Sequence, residues 1–215
     1  MKNHKVKLGD CFSSVAKKHG FDDADTLYSH TANASLKSKR NNMHVLNPKD
    51  LIKIPDKAKK EMELTAESCS SITVKGIITE LKIVLEDFAG VPLADTQYEL
   101  DVEGIKFTGK TDGSGLLSHK IDAESVDAQI IVYLDADKKN CLTWPLKIGC
   151  LVPHTETEGV QSRLNNLGYY CDNETGNIDD TTKLAVNAFK KNTGLADDDA
   201  IDQALKDKLL AVYGL

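Results

Sequence analysis

The sequence predicts a multidomain α+β chain: a strand–helix–helix–strand module, then a central antiparallel β-sandwich, then a bundle of three helices. Three observations predict it. Between Ile72 and Leu134, short apolar runs recur at roughly ten-residue spacing with turn residues between them, as in antiparallel sandwiches. Before this stretch the strand signal is confined to the two ends of a helical segment, and after Pro153 the apolar period becomes helical. A chain of 215 residues has room for two or three such small units.

In the first module, residues 1–56, His4 to Asp10 alternates like a short strand and ends in a Gly-Asp turn. Ser13 to Gly20 reads as a helix, with Ser13 as N-cap, Val15 and Ala16 facing inward and Gly20 closing it. A second helix starts near Asp22 or Asp23 and carries Leu27 and Tyr28. After a polar stretch without clear period, Val45 to Pro55 gives a turn and a closing strand. Residues 57–71 are charged and polar, and form a linker.

The sandwich covers residues 72–150. Its strands are Leu81–Leu85, Tyr98–Val102 and Lys106–Thr111, a run through Leu116 and Leu117, and Ile130–Leu134. Phe88–Pro92, Glu103-Gly104 and Asp112–Gly115 supply the turns, with glycine where positive φ is needed. Asp112-Gly-Ser-Gly is read as a turn, not a phosphate loop, because no helix follows it. Asp135-Ala-Asp137 is read as an exposed acidic turn, because the further oxygen ligands of a calcium loop are missing.

The last unit spans residues 157–215. Val160, Leu164 and Leu167 share one face of a helix ending at Gly168. Leu184, Ala185, Ala188 and Phe189 do so from about Asp180 to Asn192, and Ile201, Leu205, Leu209 and Val212 mark the third helix. Helices this short need one another's apolar faces to persist in water.

Composition narrows the function classes. Lys and Arg exceed Asp and Glu by 7 in residues 1–60, whereas the balance is −8 in 61–150 and −5 in 151–215. The basic end lacks the interleaved aromatics of a nucleic-acid surface, so no nucleic-acid partner is expected. No apolar run approaches the length of a membrane helix and no signal-peptide core follows Met1, so a cytoplasmic chain without a membrane partner is expected. The five cysteines (Cys11, Cys69, Cys141, Cys150, Cys171) form no C-x-x-C pair and read as free thiols. The spacings of His4, His19, His30 and His44 match no metal-ligand pattern, so neither metal nor cofactor is expected.

Two ends of the first module carry a family resemblance. Val6-Lys7-Leu8-Gly9-Asp10-Cys11-Phe12-Ser13-Ser14-Val15-Ala16 and Leu46-Asn47-Pro48-Lys49-Asp50-Leu51-Ile52-Lys53-Ile54-Pro55 resemble a LysM domain, a βααβ module that binds N-acetylglucosamine glycans. The resemblance implies a shallow groove between Gly9, Asp10, Cys11 and Phe12 on one side and Asn42, Met43, His44, Val45 and Leu46 on the other. Cys11 replaces the family's usual small polar residue, and the connection from Ser29 to His44 is long, with Leu36–Arg40 as an extra basic turn. A LysM-like module turned into a protein-docking surface is the competing reading.

Gly90–Leu100 and Gly109–Leu117 resemble transthyretin-like or carboxypeptidase-regulatory-like sandwiches, which connect or present other parts. Gly159–Tyr169 followed by Gly176–Phe189 resembles the three-helix peptidoglycan-binding domain that accompanies cell-wall hydrolases. Tyr169 and Tyr170 lie at its leucine-glycine-tyrosine step and join the candidate binding residues. The chain departs from that pattern at Phe189-Lys190, where the family has Phe-Gln, and at Asp197–Asp199, where a Gly-rich turn is usual.

The order of modules is similar to that of small proteins encoded beside the spike and effector proteins of bacterial type VI and related contractile secretion systems. That similarity implies a non-catalytic adaptor docking an effector, toxin or spike protein, with such a system as its route of export. The alternatives are a peptidoglycan (N-acetylglucosamine glycan) binding protein and a cell-wall hydrolase accessory or toxin-neutralising (immunity) protein. Catalysis would need a dyad such as Cys11 with His19, or Glu99 with Asp101, in a cleft. The three modules use almost the whole chain, so no enzyme is expected.

Overall fold

The structure, a computed structural model, describes residues 1–57, 76–87 and 89–214. Most of the expected linker, the start of the sandwich at Ile72, Cys69 and Phe88 lie outside them. The described chain is α+β, with antiparallel pairing throughout and a separate helical C-terminal region.

In the first module β1 (Lys2–Lys5) pairs with β2 (Leu51–Ile54), His4 opposite Ile52. Between them run α1 (Phe12–Lys18), α2 (Asp25–Tyr28), a 3-10 turn (Thr31–Asn33) and α3 (Ala34–Lys39). The strand lies earlier than the expected His4–Asp10 and is shorter, ending at Lys5; the chain turns at Gly9 as expected, with a φ of 89° that an L side chain would resist. The cap of α1 is Cys11 and not Ser13: Cys11 Sγ accepts the Ser14 N–H and Ser14 Oγ accepts the Cys11 N–H, while Ser13 is buried.

The stretch without clear period is ordered by one side chain. Asn33, 1 % exposed, donates from Nδ2 to the Leu27 and Lys53 carbonyls and accepts the Lys53 N–H at 2.7 Å, so it pairs with β2 as a backbone would. The expected basic turn at Leu36–Arg40 is mostly α3, and Arg40 is withdrawn from its surface. The Arg40 guanidinium is buried in a two-point contact with Asp50, at 2.7 and 3.2 Å.

The sandwich is a four-stranded sheet in the order β5-β4-β7-β8 faced by the pair β3-β6. These are β3 (Ile78–Val84), β4 (Gln97–Val102), β5 (Ile105–Lys110), β6 (Leu116–Asp122), β7 (Asp127–Tyr133) and β8 (Cys141–Lys147). Tyr98, Leu100 and Val102 alternate inward on β4 and meet Leu117, Ile121, Ile130 and Val132. Glu103-Gly104 makes the expected two-residue hairpin, both residues at positive φ. Asp112–Gly115 is not a hairpin: it carries the chain from β5 in one sheet to β6 in the other. The sequence reading missed β8, whose Pro145 breaks a strand pattern but is tolerated on a sheet edge.

The first module and the sandwich share a core. Ile77 and Ala123 pack with Val6, Phe12, Leu27 and Ile52, and Lys17 bridges to Asp122 and Glu124. The C-terminal region is α4 (Thr157–Asn166), α5 (Asp180–Asn192) and α6 (Gln203–Tyr213), around Val160, Leu164, Ala185, Val186, Phe189, Leu205 and Leu209. Three expected core residues are outside it: Leu184 is 70 % exposed, Val212 47 %, and Ala188 is exposed too. The inward face of α5 is Thr182, Ala185, Val186 and Phe189, which puts Leu184 a third of a turn away.

Replacing Ile77 by Ala should lower stability by about 2–4 kcal/mol in urea unfolding and loosen the first module's amides, although Ile77 belongs to the sandwich in sequence. His119 lies between Tyr98, whose hydroxyl is 2.8 Å from Nε2, and Phe107, and burial holds its imidazole below the ordinary 6.5. The unfolded chain therefore binds the proton first as pH falls. The stability due to His119 is complete above pH 6.5 and declines as pH drops toward the depressed value, a decline that His119→Gln should remove.

Candidate functional site

The two stretches expected to wall a groove in the first module do meet. Phe12 N–H donates to the Met43 carbonyl at 3.0 Å, and the Cys11 thiol contacts His44. They meet as packed structure, however. Phe12 is fully buried against Tyr28, and Val45 and Leu46 are buried with it. Gly9 faces the sandwich, where an added Cβ would lie 3.5 Å from Val126 and 3.9 Å from Cys150. Asp10 is buried. Burial alone would raise its carboxyl, but hydrogen bonds from His4, the Lys7 N–H and Lys18 hold it below 3.8. The Cys11 thiol is likewise pulled below its usual range: burial opposes ionisation, and His44 and the Ser14 N–H outweigh it. Of the expected residues here His44 is exposed and Gly9, Asn42 and Met43 are half-buried; Met43 and His44 line a cleft of about 690 Å³ with Ser13, Asp22, Ile77 and Ile78.

The C-terminal candidates sit differently. Leu167 caps α4 and Gly168, at φ 82°, reverses the chain into a loop that runs to Asp179. Tyr169 turns inward, its ring edge-on to Phe189 at 5.3 Å and its hydroxyl accepting from Asn192. Tyr170 turns outward and is 70 % exposed, its hydroxyl donating to Asp172 at 2.9 Å. Asn173 donates to the other oxygen of Asp172, and the Asp172 N–H donates to Thr181 on the first turn of α5. Exposed Ile178 and Leu184 lie on either side of that turn.

Sequence reading missed what holds this loop. Gln161, fully buried on α4, donates from Nε2 to the Asn177 carbonyl and Thr182 Oγ, at 2.8 and 2.9 Å, and its Oε1 accepts the Gly176 N–H at 2.9 Å. Glu174 accepts from Ser162 and Asn165, and Asn165 Oδ1 accepts the Cys171 N–H at 2.6 Å. Asp179 caps α5 through the Thr182 N–H, and the Thr182 and Thr181 contacts hold its carboxyl down to about 2. Cys171 is buried beneath the loop, which pushes its thiol up to about 11. The visible signal for Gln161 was a polar residue one position after Val160, on the apolar face of α4.

This arrangement presents one aromatic face beside a carboxylate, a carboxamide and a hydroxyl, the combination that recognises a ligand with both apolar C–H faces and polar edges. A sugar is such a ligand. Residues 154–209 match the family model "Putative peptidoglycan binding domain". Searches of curated proteins and of solved structures gave no match. The peptidoglycan-binding domain so delimited contains α4, the loop, α5 and most of α6, and therefore Tyr170 and its polar neighbours. Among the described residues no group of three or more His, Cys, Asp or Glu is arranged around a metal position.

Both departures from the family pattern have a structural partner in one another. The Lys190 ammonium, on a side chain 1 % exposed, contacts Asp198 at 2.5 Å and Asp202 at 2.8 Å. The lysine inside and the acidic turn outside thus form one ion cluster. Replacing Gln161 by Leu should cost about 1–3 kcal/mol in denaturant unfolding, because it strips a partner from the buried Thr182 hydroxyl and from the part-buried Asn177 carbonyl and Gly176 N–H, and should speed amide exchange at Gly176.

Proposed function

We propose that this chain is a non-catalytic peptidoglycan-binding protein, and that the loop from Gly168 to Asp179 makes the contact. The observation that carries the proposal is the family match over residues 154–209, which includes the one exposed tyrosine of a loop otherwise fixed to α4 and α5. Tyr170 would lie under a sugar face, with Asp172, Asn173 and Thr181 taking hydroxyl and amide groups. The LysM-like reading of residues 1–56 would add a second glycan contact at Met43 and His44, the expected groove residues that line the cleft.

A second reading is favoured by a different observation. In the first module Phe12 is in the core and Gly9 packs on the sandwich, so little of a glycan groove is left. That is the form expected of a module kept for contact with protein. It fits an adaptor that docks an effector, toxin or spike protein of a contractile secretion system, which would also carry the chain out of the cytoplasm.

Co-sedimentation of the full chain with purified sacculi separates the readings. Retention should be saturable, and Tyr170→Ala should weaken it up to about tenfold, the worth of one aromatic contact. Absence of retention, or retention indifferent to Tyr170, would overturn the proposed site.

A further inference from the structure

Away from that loop, titratable groups converge where β1 meets the C-terminal end of α1. The sequence spacing of His4 and His19 suggested no relation, yet His4 Nδ1 lies 3.2 Å from His19 Nε2, the rings edge-on. The other nitrogen of His4 is 2.9 Å from Asp10 Oδ2. The same carboxylate accepts the Lys7 N–H at 2.9 Å and the Lys18 ammonium at 3.3 Å. Lys2, Lys18 and Lys57 place further positive charge around His19.

Hydrogen-bond valence limits what this chain of groups can hold. An ionised carboxylate only accepts, so His4 carries a hydrogen on Nε2. Its Nδ1 then either accepts from His19 Nε2–H or, when His4 is charged, donates to a bare His19 Nε2. In both cases one hydrogen lies between the rings. With both rings protonated, two N–H groups face each other without an acceptor, and two cations sit among three lysines with Asp10 as the facing anion.

We propose that Asp10, His4 and His19 form a one-proton lock that fastens β1 to α1 and opens when acid drives a second proton onto the pair. Burial, then the charges of His4 and the lysines, hold His19 below the ordinary imidazole value of 6.5. The unfolded chain therefore binds more protons just below that pH, and the lock weakens as pH falls from 6.5 toward the depressed value. Opening releases Asp10 at the start of the Asp10–Phe12 segment, and it loosens the helix whose Lys17 bridges to Asp122 and Glu124 of the sandwich.

The test follows the imidazole nitrogens and backbone amides of the full chain by NMR from pH 8 to pH 5. The second proton uptake by the pair should coincide with about tenfold faster exchange, corrected for intrinsic pH dependence, at the amides of β1 and at His19. His19→Gln keeps a donor but cannot charge, so it should preserve protection at pH 8 and abolish the acid opening. Lys57→Ala removes one repelling cation without touching the pair, so the closed state tolerates the second proton better and the opening should shrink and move to lower pH. Uptake of both protons with unchanged exchange overturns the lock, as does acid opening that persists in His19→Gln. Should His19→Gln fail to fold, an opening pH unmoved by Lys57→Ala also overturns it.

Discussion

The buried carboxamide of Gln161 is the interaction on which the proposed recognition surface depends. A twelve-residue connection from Gly168 to Asp179 has little apolar content to fix it: Tyr169 and Cys171 point inward, Tyr170 and Ile178 are exposed, and the remainder is polar or glycine. Three hydrogen bonds from one side chain on α4 hold its far end, and Asn165 holds its near end. With both ends fixed, Tyr170 is exposed without being free to collapse onto the bundle. Preorganisation of that kind lowers the ordering cost of binding a ligand.

Charge is used in the same economical way elsewhere. Lys190 with Asp198 and Asp202, and Arg40 with Asp50, are each a cation withdrawn from solvent and met by carboxylates. Such pairs contribute little net stability against an apolar replacement, yet removal of one member leaves a costly buried charge. They therefore fix which segments must lie together: the Asp197–Asp199 turn against α5, and the end of α3 against the turn before β2. The buried Arg163 does likewise, donating to the Val152 and Gly159 carbonyls and tying the approach to α4 onto the bundle.

Much of this architecture was legible in the sequence, for identifiable reasons. The Asp180–Asn192 helix and the inward alternation of Tyr98, Leu100 and Val102 follow from periodicity, and the Glu103-Gly104 hairpin from turn chemistry. The misses share a cause: each rests on a polar or irregular group whose partner is distant in sequence. Asn33 orders the α2–α3 region by pairing with Lys53, β8 is accepted because the sheet ends there, and His4 finds His19 only once β1 and α1 are packed. At the candidate sites the orientation of the residues was not visible in the sequence. Periodicity cannot tell that Phe12 turns into a core completed by Ile77, or that of two adjacent tyrosines only Tyr170 faces water.

The central claim is that the binding surface lies on the C-terminal loop and not on the seam between the first module and the sandwich. It is tested most directly by amide chemical-shift mapping of the full chain with soluble muropeptides released from sacculi. With the binding surface on the loop, shifts should concentrate on Tyr170, Asp172, Asn173, Thr181 and Leu184. Shifts confined to Met43, His44 and Ile78, or none on the loop at saturating ligand, would contradict it.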